Sequence, residues 1–175
     1  MLHVVTGGSG SGKSAFAEGQ ILSFGPGKRI YIATMYPGHD EENFRRIERH
    51  RRMRSEKQFE TLECYTHLAG LEIPDGCQIL LECMSNLVAN EQYMDSGAGK
   101  NTVQAVLDGV EHLLDHAENL VIVTNEVFSD GITYDSYTEE YLQFLSAVNR
   151  QLAARAESVT EVVYGIPVAV KRTED

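Results

Sequence analysis

A chain of 175 residues has the length of one globular domain with a real core, and no Pro/Gly/Ser-rich linker, low-complexity tract or internal repeat divides residues 1–175. A formal net charge of -11 and a pI near 4.9 exclude nucleic acid and anionic membrane surfaces as bulk partners, because the whole-molecule field repels polyanions. Any anion site must be local.

In chain order, LHVVT (2–6) is short, apolar and β-branched, and a Gly-rich stretch leads from it into SAFAEGQILSF, where Phe16, Ile21 and Phe24 suit a helix lying on a sheet. RIYIAT (29–34) reads as a second strand. Pro37-Gly38 breaks it before the charged helical stretch DEENFRRIERHRRMRSEKQ. CQILLECM (77–84) and NLVIVTNEV (119–127) read as buried strands, with a helix over residues 102–117 between them. Residues 136–156 form the longest expected helix, and residues 160–171 read as two short strands around Gly165-Ile166-Pro167. Strands that alternate with helices and carry no polar alternation predict an α/β fold, a mainly parallel sheet with helices on both faces.

The segment GGSGSGKS (7–14) fits GxxxxGK[ST], with Gly7, Gly12, Lys13 and Ser14 at the defining positions and a strand before and a helix after. Backbone N–H groups from Gly7, Gly8, Ser9, Gly10, Ser11 and Gly12 can converge on phosphate oxygens there, and the helix N-terminus adds partial positive charge. Lys13 reaches the β- and γ-phosphates of a nucleotide such as ATP or GTP, and the Ser14 hydroxyl is a ligand for Mg²⁺. Such a loop needs a carboxylate at the end of a neighbouring strand. Glu82, closing QILLE, is the first candidate, and Glu126 in VTNEV the second.

RRIERHRRMR concentrates six arginines, at 45, 46, 49, 51, 52 and 54, in a chain with only 15 Lys and Arg. Pairs such as Glu41-Arg45, Glu42-Arg46 and Glu48-Arg52 would account for some of them as a solvated helix face. His50 lies in the middle of the cluster with Arg46 and Arg54 one turn away. Cationic neighbours favour neutral imidazole, the form that attacks an electrophilic phosphorus, and arginines neutralise the phosphates under attack. Taken alone, this stretch leaves an inert surface histidine as the commoner alternative.

Together these pieces resemble the bifunctional adenosylcobinamide kinase/adenosylcobinamide-phosphate guanylyltransferase family of cobalamin biosynthesis. The resemblance is carried by VVTGGSGSGKSAFAE, YIAT, RIERHRRMR, TLEC, ILLECMSNLVAN, VIVTNEVFSDGI and AVNRQLAARAESVTEVVYGIPVAVK, in family order over nearly the whole chain. It implies a RecA-like P-loop NTPase domain that phosphorylates the aminopropanol hydroxyl of an adenosylcobinamide-type corrinoid. GMP then passes from GTP to that phosphate through a guanylyl-histidine. It also implies roles residue by residue: Gly7 to Ser14 as phosphate loop, Glu82 as the Mg²⁺-associated carboxylate, His50 as the guanylylated histidine, and Glu63 and Asn125-Glu126 near the site. A trimer, with sites between subunits, is implied as well.

Three departures accompany the resemblance. Gly10 stands where many members carry an arginine, Arg49 precedes His50 where some carry two histidines, and NEQYMDSGAGKN (90–101) is less family-like than the rest. The competing readings are a regulatory or assembly P-loop ATPase and a small-molecule kinase without the guanylyl step. Cys64, Cys77 and Cys83 are odd in number and lack zinc spacing, which predicts reduced thiols in the cytoplasm. Neither a signal-type segment nor an apolar run of roughly 20 residues is present, so no membrane insertion is expected. His39, His67, His112 and His116 are expected on exposed segments. Tyr134, Tyr137 and Tyr141 are expected in core or interface packing.

Overall fold

The structure is a computed structural model that describes residues 1–38 and 41–172, apart from the side chains of Asn43, Arg46, His50 and Met53. A single seven-stranded sheet organises the described residues: β1 (Leu2–Thr6), β2 (Arg29–Ala33), β3 (Phe59–Glu63), β4 (Cys77–Glu82), β5 (Ala117–Val123), β6 (Ser158–Val163) and β7 (Ile166–Arg172). The strand order is β3-β2-β4-β5-β1-β6-β7, parallel throughout except for β7, which runs antiparallel to β6.

Period-two alternation within uniformly apolar strands makes two cores rather than one. Val4, Ile30, Ile32, Ile79, Leu81, Leu120 and Ile122 face a core shared with α3 (Met84–Tyr93), α4 (Thr102–His116) and α5 (Ser136–Arg155). Val5, Tyr31, Leu80, Val121 and Val123 face the opposite way, against Ala17 and Ile21 of α1 (Lys13–Ser23). The end of α2 (Glu41–Glu56) reaches this second face, where Arg54 covers Tyr31. The expected helices on both faces are therefore present, and the chain has the architecture of a P-loop NTPase.

Several boundaries differ from expectation. Strand β5 ends at Val123 rather than 127, although Thr124 N and Glu126 N continue to donate toward the first strand, to Val5 O (2.9 Å) and Gly7 O (3.1 Å), while the Thr124 hydroxyl bonds Asn149 Oδ1 (2.9 Å). In the closing hairpin the turn is Tyr164-Gly165, both at positive φ (50° and 78°), so Ile166 and Pro167 already belong to β7. Pro167 fits there because β7 is an edge strand. Strand β3 and helix α3 have no counterpart in the sequence reading. FETLE mixes charge into a short strand, and α3 begins directly behind β4 with no side-chain cap.

Residues 90–101 have a structural account. Glu91 is buried and accepts from His67 N (2.6 Å) and Ala98 N (2.9 Å), so one carboxylate fastens two loops. Beside it, Leu68 of a 3-10 turn (Leu68–Gly70) packs on Gly109 of α4, and a Cβ at 109 would come within 2.6 Å of Leu68 Cβ. Gly109→Ala is expected to lower stability by about 1–3 kcal/mol through overpacking. Urea unfolding reads it, and an unchanged midpoint would show that the turn yields freely.

Candidate active site

The first strand emerges between β5 and β6, and the loop behind it is held on both sides. Glu126 N donates to Gly7 O (3.1 Å) from the β5 side, and Gly165 N donates to Ser11 O (2.7 Å) from the hairpin. Contact is close enough to require glycine: a Cβ on Gly7 would lie 2.6 Å from Val162 O, and one on Gly12, at φ 93°, would lie 3.3 Å from Gly165 Cα. The hairpin YGIP is thus a buttress for the phosphate loop.

Around this loop the backbone at Gly8, Ser9 and Gly10 is open to solvent, whereas Lys13 is buried and places its ammonium 2.9 Å from Gly8 O, across the cradle. Ser14, in the first turn of α1, donates to Glu82 Oε1. Register explains that contact. Val5, Val123 and Glu82 are aligned across β1, β5 and β4, so Glu82 ends its strand at the level from which the phosphate loop departs. Glu126, the second carboxylate candidate, accepts from Phe128 N (2.9 Å) and shapes its own loop.

Glu82 has a second partner. Tyr31, buried in β2, donates through its hydroxyl to Glu82 Oε2 (3.0 Å), and the Arg54 guanidinium lies 3.5 Å from the Tyr31 ring centroid. Burial first, then the charge of Glu82, pushes the Tyr31 phenol far up, which keeps it a donor. Arg54 is itself buried, 7% exposed, so it is not part of the solvated face of α2. Arg46 and His50 fall within the span of α2, and their side chains lie outside the described residues. On the outer face Glu41 meets Arg45 (3.8 Å) as expected, whereas Glu48 meets Arg51 (3.9 Å), a pair that was not expected.

Glu63 ends β3, two strands from Glu82, and takes an ion pair from Arg51 and a hydrogen bond from Tyr65 Oη (3.1 Å). Together with Tyr36, Tyr65, Thr66 and Met94 it lines a recess of about 490 Å³. Half-exposed ion pairs contribute only about 0–1 kcal/mol, so Glu63 remains available to exchange Arg51 for another donor. Behind these strand ends runs a polar network of which the sequence pointed only to Asn125. Asn90 Nδ2 donates to Thr34 O (2.8 Å), Thr34 Oγ1 donates to Cys83 O (2.8 Å), Asn125 Nδ2 donates to Ser85 Oγ (2.7 Å), and Tyr141 Oη donates to Ser85 O (3.1 Å). The visible signal was a run of Ser, Thr and Asn directly after three apolar strands. It locks α3 and α5 to the mouth of the site.

Tyr141 packs as expected, whereas Tyr137 is 69% exposed and stacks on Tyr93 with centroids 5.3 Å apart. Tyr134 hydrogen-bonds Asp130 at the surface. His67 is exposed, but His112 and His116 are not free: His112 Nε2 donates to Leu71 O (2.7 Å) and His116 Nδ1 pairs with Asp75 Oδ1 (2.5 Å). Their helix face meets the 71–75 loop, which leaves both rings half-buried. His39 lies outside the described residues. All three cysteines are free and buried. Among the described residues no cluster of three or more His, Cys, Asp or Glu is placed to hold a metal, and no helix is long and apolar enough to cross a membrane.

A solved KaiC-like protein of Pyrococcus horikoshii superposes with a TM-score of 0.51 over 91% of this chain and 71% of its own, at 12% identity, a likeness of fold alone. The bifunctional adenosylcobalamin biosynthesis protein CobU of Escherichia coli is 34% identical over 98% of this chain and 100% of its own length. Its counterpart in Salmonella typhimurium is 32% identical over 98% and 100%. The family model described as cobinamide kinase / cobinamide phosphate guanyltransferase matches residues 3–170, and the chain belongs to that family.

Proposed function

We propose that this chain phosphorylates adenosylcobinamide and then transfers GMP from GTP to the adenosylcobinamide phosphate, giving adenosylcobinamide-GDP and pyrophosphate. The observation that carries the reading is the contact of Ser14 with Glu82 beside a phosphate loop crossed by Lys13, with the arginine-rich helix seated on the same sheet face through Arg54 and Tyr31. Family membership supplies the substrate class.

Ser14 Oγ and Glu82 Oε1 are hard oxygen donors already in contact at the mouth of the phosphate loop, a donor pair that fits Mg²⁺. When bound, Mg²⁺ screens the charge of the nucleotide phosphates. In the kinase step the loop amides and Lys13 hold the triphosphate while the corrinoid hydroxyl oxygen attacks the γ-phosphorus. The bond to the β-bridging oxygen breaks, the nucleoside diphosphate leaves, and the hydroxyl proton passes to solvent. In the second step an imidazole nitrogen of His50 attacks the α-phosphorus of GTP and pyrophosphate leaves. A phosphate oxygen of the corrinoid then displaces the histidine, breaking the P–N bond and restoring the imidazole. Arg46, one turn from His50 on the same helix, is assigned the countercharge that stabilises the phosphates under attack and favours the neutral, nucleophilic imidazole.

Glu63 and its recess are assigned to the nucleotide, where the carboxylate accepts from N–H donors of a base. A homo-oligomer, a trimer by family resemblance, is supported by the uncovered apolar edge at Tyr164, Ile166 and Val170, respectively 94%, 64% and 63% exposed. Sedimentation is expected to give three times 19.5 kDa, and a monomer at every concentration would remove the assembly. The cytoplasm is the proposed compartment, consistent with three free thiols.

The deciding assay supplies Mg²⁺, adenosylcobinamide and either γ-labelled ATP or γ-labelled GTP, and in a second vessel α-labelled GTP after phosphorylation. Label is expected on the corrinoid in both vessels. Nucleotide hydrolysis with an unlabelled corrinoid would favour the ATPase reading, and label in the first vessel alone the plain kinase.

A further inference from the structure

The hydrogen bond from Tyr31 to Glu82 has no part in the steps above, and it joins two pieces of the site that are far apart in sequence. Glu82 is shared at its two oxygens: Ser14 donates to Oε1 and Tyr31 to Oε2. Tyr31 is 6% exposed, packed edge-on against Phe59 with centroids 6.5 Å apart at 86°, and covered on its face by Arg54. Such a phenol is fixed by packing on two sides, and its hydroxyl is directed toward Glu82.

We infer that Tyr31 is a positioning residue for Glu82, fixing the carboxylate so that one oxygen stays free to exchange Ser14 for a divalent cation, with Arg54 holding the Tyr31 ring from helix α2. Three facts support this. Oε1 of Glu82 is the oxygen in contact with the phosphate-loop serine, and that side is where a cation would be received. Oε2 is committed to an internal donor, which restrains the carboxylate from rotating. Arg54 closes the last turn of the helix that also carries His50, so displacement of α2 is felt at the Tyr31 ring. The arrangement connects the arginine-rich helix to the carboxylate through side chains alone. The inference rests on the assignment of Glu82 to Mg²⁺.

A double-mutant cycle on nucleotide binding tests it without using turnover. Affinity for a fluorescent GTP analogue is measured with saturating Mg²⁺, through a Mg²⁺ titration, and in EDTA, for the wild type, Tyr31→Phe, Glu82→Gln and the double variant. Tyr31→Phe keeps the ring, its packing and the Arg54 contact. Expected is about a 10-fold or larger rise in the Mg²⁺ concentration that half-saturates binding, with unchanged affinity in EDTA. In the Glu82→Gln background the same change is expected to have no effect on Mg²⁺ dependence. Weakening of equal size in EDTA, or persistence of the Tyr31→Phe effect in the Glu82→Gln background, would assign Tyr31 to general packing and overturn the inference. A wild type whose binding ignores Mg²⁺ would overturn the metal assignment itself, a distinct failure. Arg54→Met is expected to reproduce the Mg²⁺ shift, and equal weakening with and without Mg²⁺ would instead make Arg54 a direct nucleotide contact and remove it from the arrangement.

Discussion

His50→Ala is expected to abolish transfer of label from α-labelled GTP to the protein and to lower GMP transfer by about three orders of magnitude or more, while corrinoid phosphorylation persists. The size follows from removing a covalent nucleophile, whose loss forfeits the whole two-step path rather than one contact. The bond should be diagnostic: a P–N linkage is lost in acid and survives alkali. The measurement uses denatured protein after incubation with Mg²⁺ and labelled GTP, without corrinoid, followed by acid and alkali washes. Position 50 is one helical turn before Arg54, whose guanidinium covers Tyr31. Wild-type labelling in His50→Ala would place the nucleophile elsewhere and leave His50 an incidental histidine on a basic helix.

Lys13→Ala is expected to lower the kinase rate by about 10²–10³-fold, the usual cost of removing one preorganised group that stabilises transition-state charge. Its ammonium is held 2.9 Å from Gly8 O in a buried position and meets the phosphates without first being ordered. Because one loop is assigned to the phosphates of both steps, protein labelling from GTP should fall as well. A kinase rate near wild type, with a cooperative unfolding transition retained, would overturn the role given to the loop lysine. Loss of the kinase step with full protein labelling would instead separate the two nucleotide sites.

Much of this was legible in the chain because the relevant interactions are local. A P-loop is built within eight consecutive residues, and its strand and helix are adjacent in sequence, so GGSGSGKS after LHVVT announces both structure and chemistry. The apolar runs of β1, β2, β4 and β5 announce a doubly covered sheet for a similar reason: a strand buried on both faces has no polar alternation to hide. Strand β3 escaped notice because FETLE is short and charged and is recognisable only beside β2. Helix α3 escaped because it follows β4 with no cap or break to mark its start. The two half-buried histidines of α4 were misread because their partners, Leu71 and Asp75, lie about 40 residues away in a loop whose path sequence does not reveal.

By itself, then, the sequence determined that this is a P-loop α/β protein, which residues form the phosphate loop, and which helix concentrates arginine around one histidine. Those features depend on residue type and short spacing. Tertiary structure alone decided that Glu82 rather than Glu126 meets Ser14, that Tyr31 shares Glu82 with it, that Arg54, expected beside the phosphates with Arg46, covers Tyr31, and that the closing hairpin supports the loop from Gly165. Each of these contacts joins elements brought side by side only by strand order and register, which follow from the packing of the whole sheet rather than from any one segment.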